Sequence, residues 1–178
     1  LQLNACDMDA AVARVKANFD IQLEGVRKGL GIWLKELFDV VLARDEGKKL
    51  IYYGYPPFQY TGMAIKAATK SRDEFYIGCP EIVLCQTLGM IFDKLAPLLE
   101  CGEEKGMAPG HAMCALLQIK VGGLEKGVLP IPDLSIATSY FCDMGPKADE
   151  LMQYKYGYPV KYIDSCMDAP WGQYPQHD

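Results

Sequence analysis

Long apolar runs and an excess of positive charge are both missing from this sequence. No apolar run reaches the ~18–20 residues that a membrane-spanning helix needs, so we expect no membrane span. The net charge of −5 argues against nucleic acid as a partner, because phosphate binding needs a basic face. The opening stretch LQLNACDMDA lacks the basic start and apolar core of a signal peptide, which predicts a cytoplasmic protein. No glycine motif of the form G-x-x-x-x-G-K-S is present, so we do not expect this chain to hydrolyse ATP itself.

Cysteine, by contrast, is frequent. The odd number of cysteines and the absence of a secretion signal favour reduced thiols over a disulfide framework. Reduced thiols either pack in the core, which is the commoner outcome, or bind a metal. The seven are Cys6, Cys79, Cys85, Cys101, Cys114, Cys142 and Cys166.

The apolar pattern divides the chain into a helical segment, residues 1–46, and an α/β domain, residues 47–178. Within residues 8–43 the apolar side chains recur every three or four positions, which predicts one long amphipathic helix or two abutting helices. Asp7 is the predicted N-cap, and a bend is expected near Gly29 and Gly31.

The second part of the chain alternates strand patterns with helix patterns. This alternation predicts a parallel sheet with helices on both faces. No helix follows the last strand to cover it, so we expect the chain to be part of a larger two-domain polypeptide. The predicted strands are LIYYGY, EFYIG, DLSIAT and PVKYID, and the predicted helices cover residues 61–70, 79–106 with a break near Pro97, 111–121 and 145–157.

Three of the thiols are placed where α/β folds hold ligands. Cys142 and Cys166 each follow a predicted strand, so both are expected at the carboxyl edge of the sheet. Cys114 begins a predicted helix, whose positive end favours the thiolate that binds metal. Dispersed single cysteines without a Cys-x-x-Cys pair fit an iron–sulfur cluster better than a zinc ribbon, although simple burial is the alternative. His111 is either a base paired with Cys114 or a surface residue.

The stretch CALLQIKVGGLEKGVLPIPDLSIATSYFCDMGPKADEL resembles a signature of the 2-hydroxyacyl-CoA dehydratase and benzoyl-CoA reductase family. In that signature a cysteine opens a helix, a PDL segment and an apolar strand follow, and a cysteine–aspartate pair precedes the next helix. The upstream YIGCPEIVLC and the downstream YPVKYID are similar to neighbouring segments of the family. The likeness covers roughly residues 47–165.

The resemblance implies flavodoxin-like domains, a 4Fe–4S cluster and a radical reaction on a CoA thioester, either dehydration of a 2-hydroxyacyl group or reduction of a benzoyl ring. Cys114 and Cys142 occupy the positions of two cluster thiolates, and a third is implied in a second domain outside these 178 residues, with Cys166 as a substitute. Glu81, in the PE segment, is the candidate substrate-binding residue; its alternative role is to complement a helix dipole.

The implied partners are a homologous second subunit, an ATP-hydrolysing iron–sulfur activator protein and an acyl-CoA. Two further departures from the family pattern are present. Ala115 stands where many members have a serine or tyrosine, and YPPFQYTG lacks a carboxylate, which concerns substrate contacts in that loop. The alternatives are a non-catalytic cluster-binding subunit for electron transfer or scaffolding, and a domain of the same shape whose cysteines are simply buried.

Overall fold

The structure, a computed structural model, describes residues 3–54, 63, 66–68, 72–107, 114–137 and 144–163. It is a mixed α/β fold, as predicted. The helices are α1 (Ala5–Asn18), α2 (Glu24–Leu42), α3 (Pro80–Leu84), α4 (Ala96–Glu104), α5 (Ala115–Glu125) and α6 (Met144–Tyr156), with a 3-10 turn at Arg72–Glu74 and a π-helix at Cys85–Ile91. The strands are β1 (Lys49–Tyr53), β2 (Phe75–Gly78), β3 (Leu134–Ala137) and β4 (Val160–Tyr162).

The N-terminal segment forms two helices rather than one. The chain leaves the helical conformation at residues 19–23, whereas Gly29 and Gly31 lie inside α2. The predicted N-cap, Asp7, is wrong by one helical turn because Asn4 caps α1. The Asn4 side chain accepts a hydrogen bond from the Asp7 amide at 3.1 Å, and the Asp7 carboxylate accepts one from the Asn4 amide at 3.0 Å. This reciprocal capping box satisfies two of the amide groups that a helix leaves open at its start.

The four strands form an all-parallel sheet in the order β2-β1-β3-β4, which confirms the parallel pairing predicted from the alternation of strands and helices. The two central strands are β1 and β3. Leu50 and Tyr52 of β1 are fully buried, and β2 and β3 are buried from their second residue onward. The chain adds β2 on one side of β1 and β3 on the other, so the carboxyl ends of β1 and β3 flank a topological switch point.

The connection from β2 to β3 contains α3, the π-helix, α4 and α5 in succession. The predicted break near Pro97 lies slightly earlier: helical structure ends after Ile91, and Asp93 adopts a left-handed φ of 56°. Pro97 instead stands in the first turn of α4, where a missing amide hydrogen costs no helical hydrogen bond. Among the described residues, no helix is long and apolar enough to cross a bilayer.

Close packing of α4 against α5 depends on two glycines. A Cβ atom at Gly122 would lie 2.0 Å from the Leu98 carbonyl oxygen, and one at Gly102 would lie 2.6 Å from the Gln118 carbonyl oxygen. Both obstacles are backbone atoms, so relief requires the two helices to move apart. The pair GG at residues 122–123 therefore has a structural role.

We expect Gly122→Ala to lower the free energy of unfolding by about 1–3 kcal/mol, because the added methyl group overpacks the contact between the two helices. Urea unfolding followed by circular dichroism measures this change. Gly29→Ala is the matched control: a Cβ there meets nothing within 4 Å, and the change should stabilise α2 by about 0.5–1 kcal/mol. Equal effects of the two substitutions would contradict the packing described here.

Candidate functional site at the carboxyl edge of the sheet

The parallel sheet brings several candidate residues to one edge. Cys79 directly follows the end of β2, and Glu81 lies two residues further on in α3. Because α5 runs back toward the start of β3, its first residues lie at the carboxyl edge as well. Cys114 immediately precedes α5. This is the edge at which open α/β sheets bind ligands.

Cys114 is the N-cap residue of α5, as its position in the sequence predicts. Its backbone is extended, with φ −79° and ψ 128°, and its carbonyl oxygen accepts hydrogen bonds from the amides of Leu117 and Gln118 at 3.0 and 3.2 Å. The side chain is half-buried and packs against the core. The open amide groups of the first helical turn favour a negatively charged ligand group at this position.

Cys85 is a second half-buried thiol near Cys114 that the sequence analysis did not connect with it. Burial raises the pKa of the Cys85 thiol, and the charge of Cys114 raises it further. Both side chains pack against the same apolar core. Cys85 opens the π-helix, a rare distortion that is frequent at functional sites. The two residues are 29 positions apart in the sequence, so no short cysteine motif indicates the pair.

Cys142, Cys166 and His111 lie outside the described residues, so their predicted roles remain predictions. Cys142 falls between the end of β3 at Ala137 and the start of α6 at Met144. Within the described ranges, no three histidine, cysteine or acidic side chains gather into a group able to hold a metal ion. Cys114 has the soft sulfur donor that an iron–sulfur cluster takes, and the remaining ligands would come from elsewhere.

Glu81 is deeply buried rather than placed on a surface. Its exposed fraction is 1%, and neither carboxyl oxygen has a hydrogen-bond partner of good geometry in the part of the chain described. Burial raises the pKa of this carboxyl group, the positive charge of Lys120 opposes that rise, and the neighbouring Cys79 thiol also affects it. A surface carboxylate that only complements a helix dipole would be solvated, so that alternative role does not fit this environment.

The Lys120 charge that acts on Glu81 belongs to a buried ion pair that the sequence pattern does not predict. The Lys120 ammonium on α5 lies 2.9 Å from both carboxylate oxygens of Asp149 on α6, and each residue is 1% exposed. The Ser135 hydroxyl donates to Asp149 Oδ1 at 2.7 Å, and the Tyr158 hydroxyl does so at 3.4 Å. Burial alone would lower the pKa of Lys120, but the carboxylates of Asp149 and Glu81 outweigh it, so the pKa is raised and the ammonium is retained.

Tyr76 supplies the other unpartnered polar group at this edge. Its ring leans along β2 over Gly78, where a Cβ would lie 2.3 Å from the Tyr76 hydroxyl oxygen. In the described ranges, every buried side-chain nitrogen or oxygen that lacks a hydrogen bond belongs to Tyr76 or Glu81. Unsatisfied polar atoms are therefore concentrated within six residues around the end of β2.

Tyr52 of β1 is a core residue, and its hydroxyl donates a hydrogen bond to the Pro130 carbonyl oxygen at 2.8 Å. The aromatic residues Tyr55, Phe58 and Tyr60, which follow β1 in the sequence, lie outside the described residues. Comparison of the sequence with protein-family models and with curated proteins found no match.

Proposed function

We propose that this chain is an iron–sulfur subunit, or part of one, of an ATP-activated radical enzyme that acts on CoA thioesters. The observation that carries the proposal is the position of Cys114: a half-buried thiol at the start of α5, at the edge where a parallel sheet binds ligands. The resemblance of residues 114–151 to the dehydratase and reductase family supplies the chemistry.

The strand order supports a flavodoxin-like domain as the fold of this subunit. The observed order, β2-β1-β3-β4, equals the first four positions of the flavodoxin-type order 2-1-3-4-5. In that fold the ligand lies at the switch point between β1 and β3. Residues 55–62 and 138–143, the latter with Cys142, connect to those two strand ends. A second domain of the same kind, supplying a third thiolate, belongs to the same proposal.

Cys114 and Cys142 would hold the cluster through their thiolates. A 4Fe–4S cluster held there would relay a low-potential electron, and with only three protein thiolates as ligands it would supply a Lewis-acid site for a substrate oxygen. The chain's own contribution is electrostatic: the first turn of α5 presents amide groups toward Cys114, and hydrogen bonds to sulfur tune the potential of such clusters. Glu81 would meet the polar part of the substrate.

The partners in this proposal are a homologous second subunit, an ATP-hydrolysing iron–sulfur activator and an acyl-CoA, within the cytoplasm. The acidic chain is expected to bind neither nucleic acid nor membrane. The electron would come from the activator, since residues 1–178 contain no ATP-binding glycine motif.

A second function, electron transfer or scaffolding without substrate, is favoured by the burial of Glu81. The substrate-binding candidate is 1% exposed, so a substrate would reach it only if the residues around Glu81 rearrange. A subunit that binds a cluster without binding acyl-CoA needs no such rearrangement.

Product formation from an acyl-CoA distinguishes the enzyme from a subunit for electron transfer or scaffolding. The chain, purified anaerobically and combined with its partner subunit, activator, ATP and a 2-hydroxyacyl-CoA or benzoyl-CoA, is expected to form product, as followed by liquid chromatography of the CoA esters. Omission of ATP should abolish product formation. A protein that contains iron but gives no product with any acyl-CoA would support the electron-transfer alternative.

A further inference from the structure

Two buried carboxyl groups share a single buried ammonium group. Lys120 is bonded to Asp149, which also accepts hydrogen bonds from Ser135 and Tyr158. Asp149 therefore accepts four hydrogen bonds. Glu81 interacts with the same ammonium charge and lies close to the Cys79 thiol, but neither of its carboxyl oxygens has a hydrogen bond of good geometry among the described residues.

This arrangement leaves one negative charge uncompensated when both carboxyl groups are ionised. An unpaired charge in a protein interior costs several kcal/mol, and a single proton on Glu81 removes it. Asp149 accepts four hydrogen bonds, whereas the oxygens of Glu81 have none of good geometry, so we place the proton on Glu81. The titratable groups that interact with Glu81 come from four parts of the fold: Cys79 before α3, Tyr52 and Tyr53 on β1, Lys120 on α5 and Asp149 on α6. Glu36 on α2 interacts with Tyr53 and Tyr76.

We propose that Glu81, backed by the Lys120–Asp149 ion pair, is a buried one-proton site that takes up or releases a proton as the charge at this edge of the sheet changes. A carboxyl group with a purely structural role would be paired or would cap a helix. Glu81 is not part of a direct ion pair and does not cap α3, and its buried carboxyl oxygens have no hydrogen bond of good geometry among the described residues. Unsatisfied groups of this kind are typical of functional sites.

The exchange is a simple protonation: the Glu81 carboxylate gains one proton and becomes the carboxylic acid, and nothing is oxidised or reduced. Its use in catalysis rests on the proposed function. Elimination of water from a 2-hydroxyacyl group breaks one C–H bond and one C–O bond, so a proton leaves carbon and another joins the departing hydroxide. A group that accepts one proton and returns it is therefore unchanged after each turnover.

The test compares the metal-free chain with Glu81→Gln in urea unfolding between pH 4 and pH 8, with the exposed Glu103→Gln as control. Because the pKa of Glu81 is raised in the folded protein, the folded state binds more protons than the unfolded state above the ordinary value of 4.5. The unsubstituted chain should then lose stability relative to Glu81→Gln as the pH rises from 4.5 to the pKa that Glu81 has in the folded protein. The folding equilibrium constant should change by up to tenfold per pH unit, equivalent to 1.36 kcal/mol.

A stability difference that stays constant with pH, as expected for Glu103→Gln, would overturn the proposal. If Glu81→Gln does not fold, a carbon-13 NMR titration of the glutamate carboxyl groups in the unsubstituted chain replaces it. The proposal is supported if one glutamate carboxyl group titrates at a higher pH than the others. It is overturned if all of them titrate over the same pH range. Since no iron is present in either experiment, the result is independent of whether the chain binds a cluster.

Discussion

Replacing Cys114 or Cys142 with alanine is expected to remove most of the iron from the anaerobically purified protein. Each thiolate is one of three that hold the proposed cluster, and its loss opens a second iron to water and oxygen. Iron and acid-labile sulfide per chain, together with the visible absorbance of the cluster, measure the effect. We expect the loss to be nearly complete for either substitution.

Cys101→Ala is the matched control for these two substitutions. Cys101 is a buried core residue, 8% exposed, within α4. Its replacement should leave the iron content unchanged, although it removes packed side-chain atoms and lowers stability. Full iron content in Cys114→Ala or Cys142→Ala would exclude that residue as a ligand, and iron loss in Cys101→Ala would show that the site lies elsewhere.

Lys120→Met is expected to cost about 3–5 kcal/mol of unfolding free energy, which is the usual penalty for leaving a buried charge without its partner. The substitution keeps the length and much of the volume of the side chain, so packing changes little. It removes the ammonium group that is bonded to Asp149 and that also interacts with the Glu81 charge, and so leaves the two buried carboxyl groups without a cation. Urea unfolding at neutral pH measures the loss.

Glu150→Gln provides the surface comparison. Glu150 pairs with Lys147 at 2.8 Å on the exposed side of α6, and such pairs contribute about 0–1 kcal/mol. If Lys120→Met were no more destabilising than Glu150→Gln, the buried ion pair would not be important for the fold. A loss for Lys120→Met that shrinks at acid pH would fit protonation of the carboxyl groups that remain.

The sequence pattern located the sheet well because its strands are short apolar segments between polar turns. Each observed strand lies within one or two residues of the predicted segment; β1, for example, covers Lys49–Tyr53 where LIYYGY was expected. Parallel pairing followed from the alternation of strands with helices. The break between α1 and α2 was not located, because helical periodicity continues through residues 19–23 and the capping signal at Asn4 is local.

The buried polar cluster could not be derived from the sequence. Charged residues on helices are usually solvated, and pairing of Lys120 with Asp149 depends on the packing of α5 against α6. One signal was present: Lys120 stands between Ile119 and Val121 in a helix that is apolar on nearly all sides, which indicates a fully buried helix. Cys85 and Cys114 are 29 residues apart, and no sequence pattern indicates the π-helix that Cys85 begins.

Iron and acid-labile sulfide in the unsubstituted chain, measured after anaerobic purification, test the central claim most directly. We expect iron and sulfide in equal amounts, close to four of each per cluster in a 4Fe–4S stoichiometry, once the second domain that supplies the third thiolate is present. Protein that is folded, monodisperse and combined with that domain and with its partner subunit, yet free of both iron and sulfide, would contradict the claim and leave the cysteines as core residues.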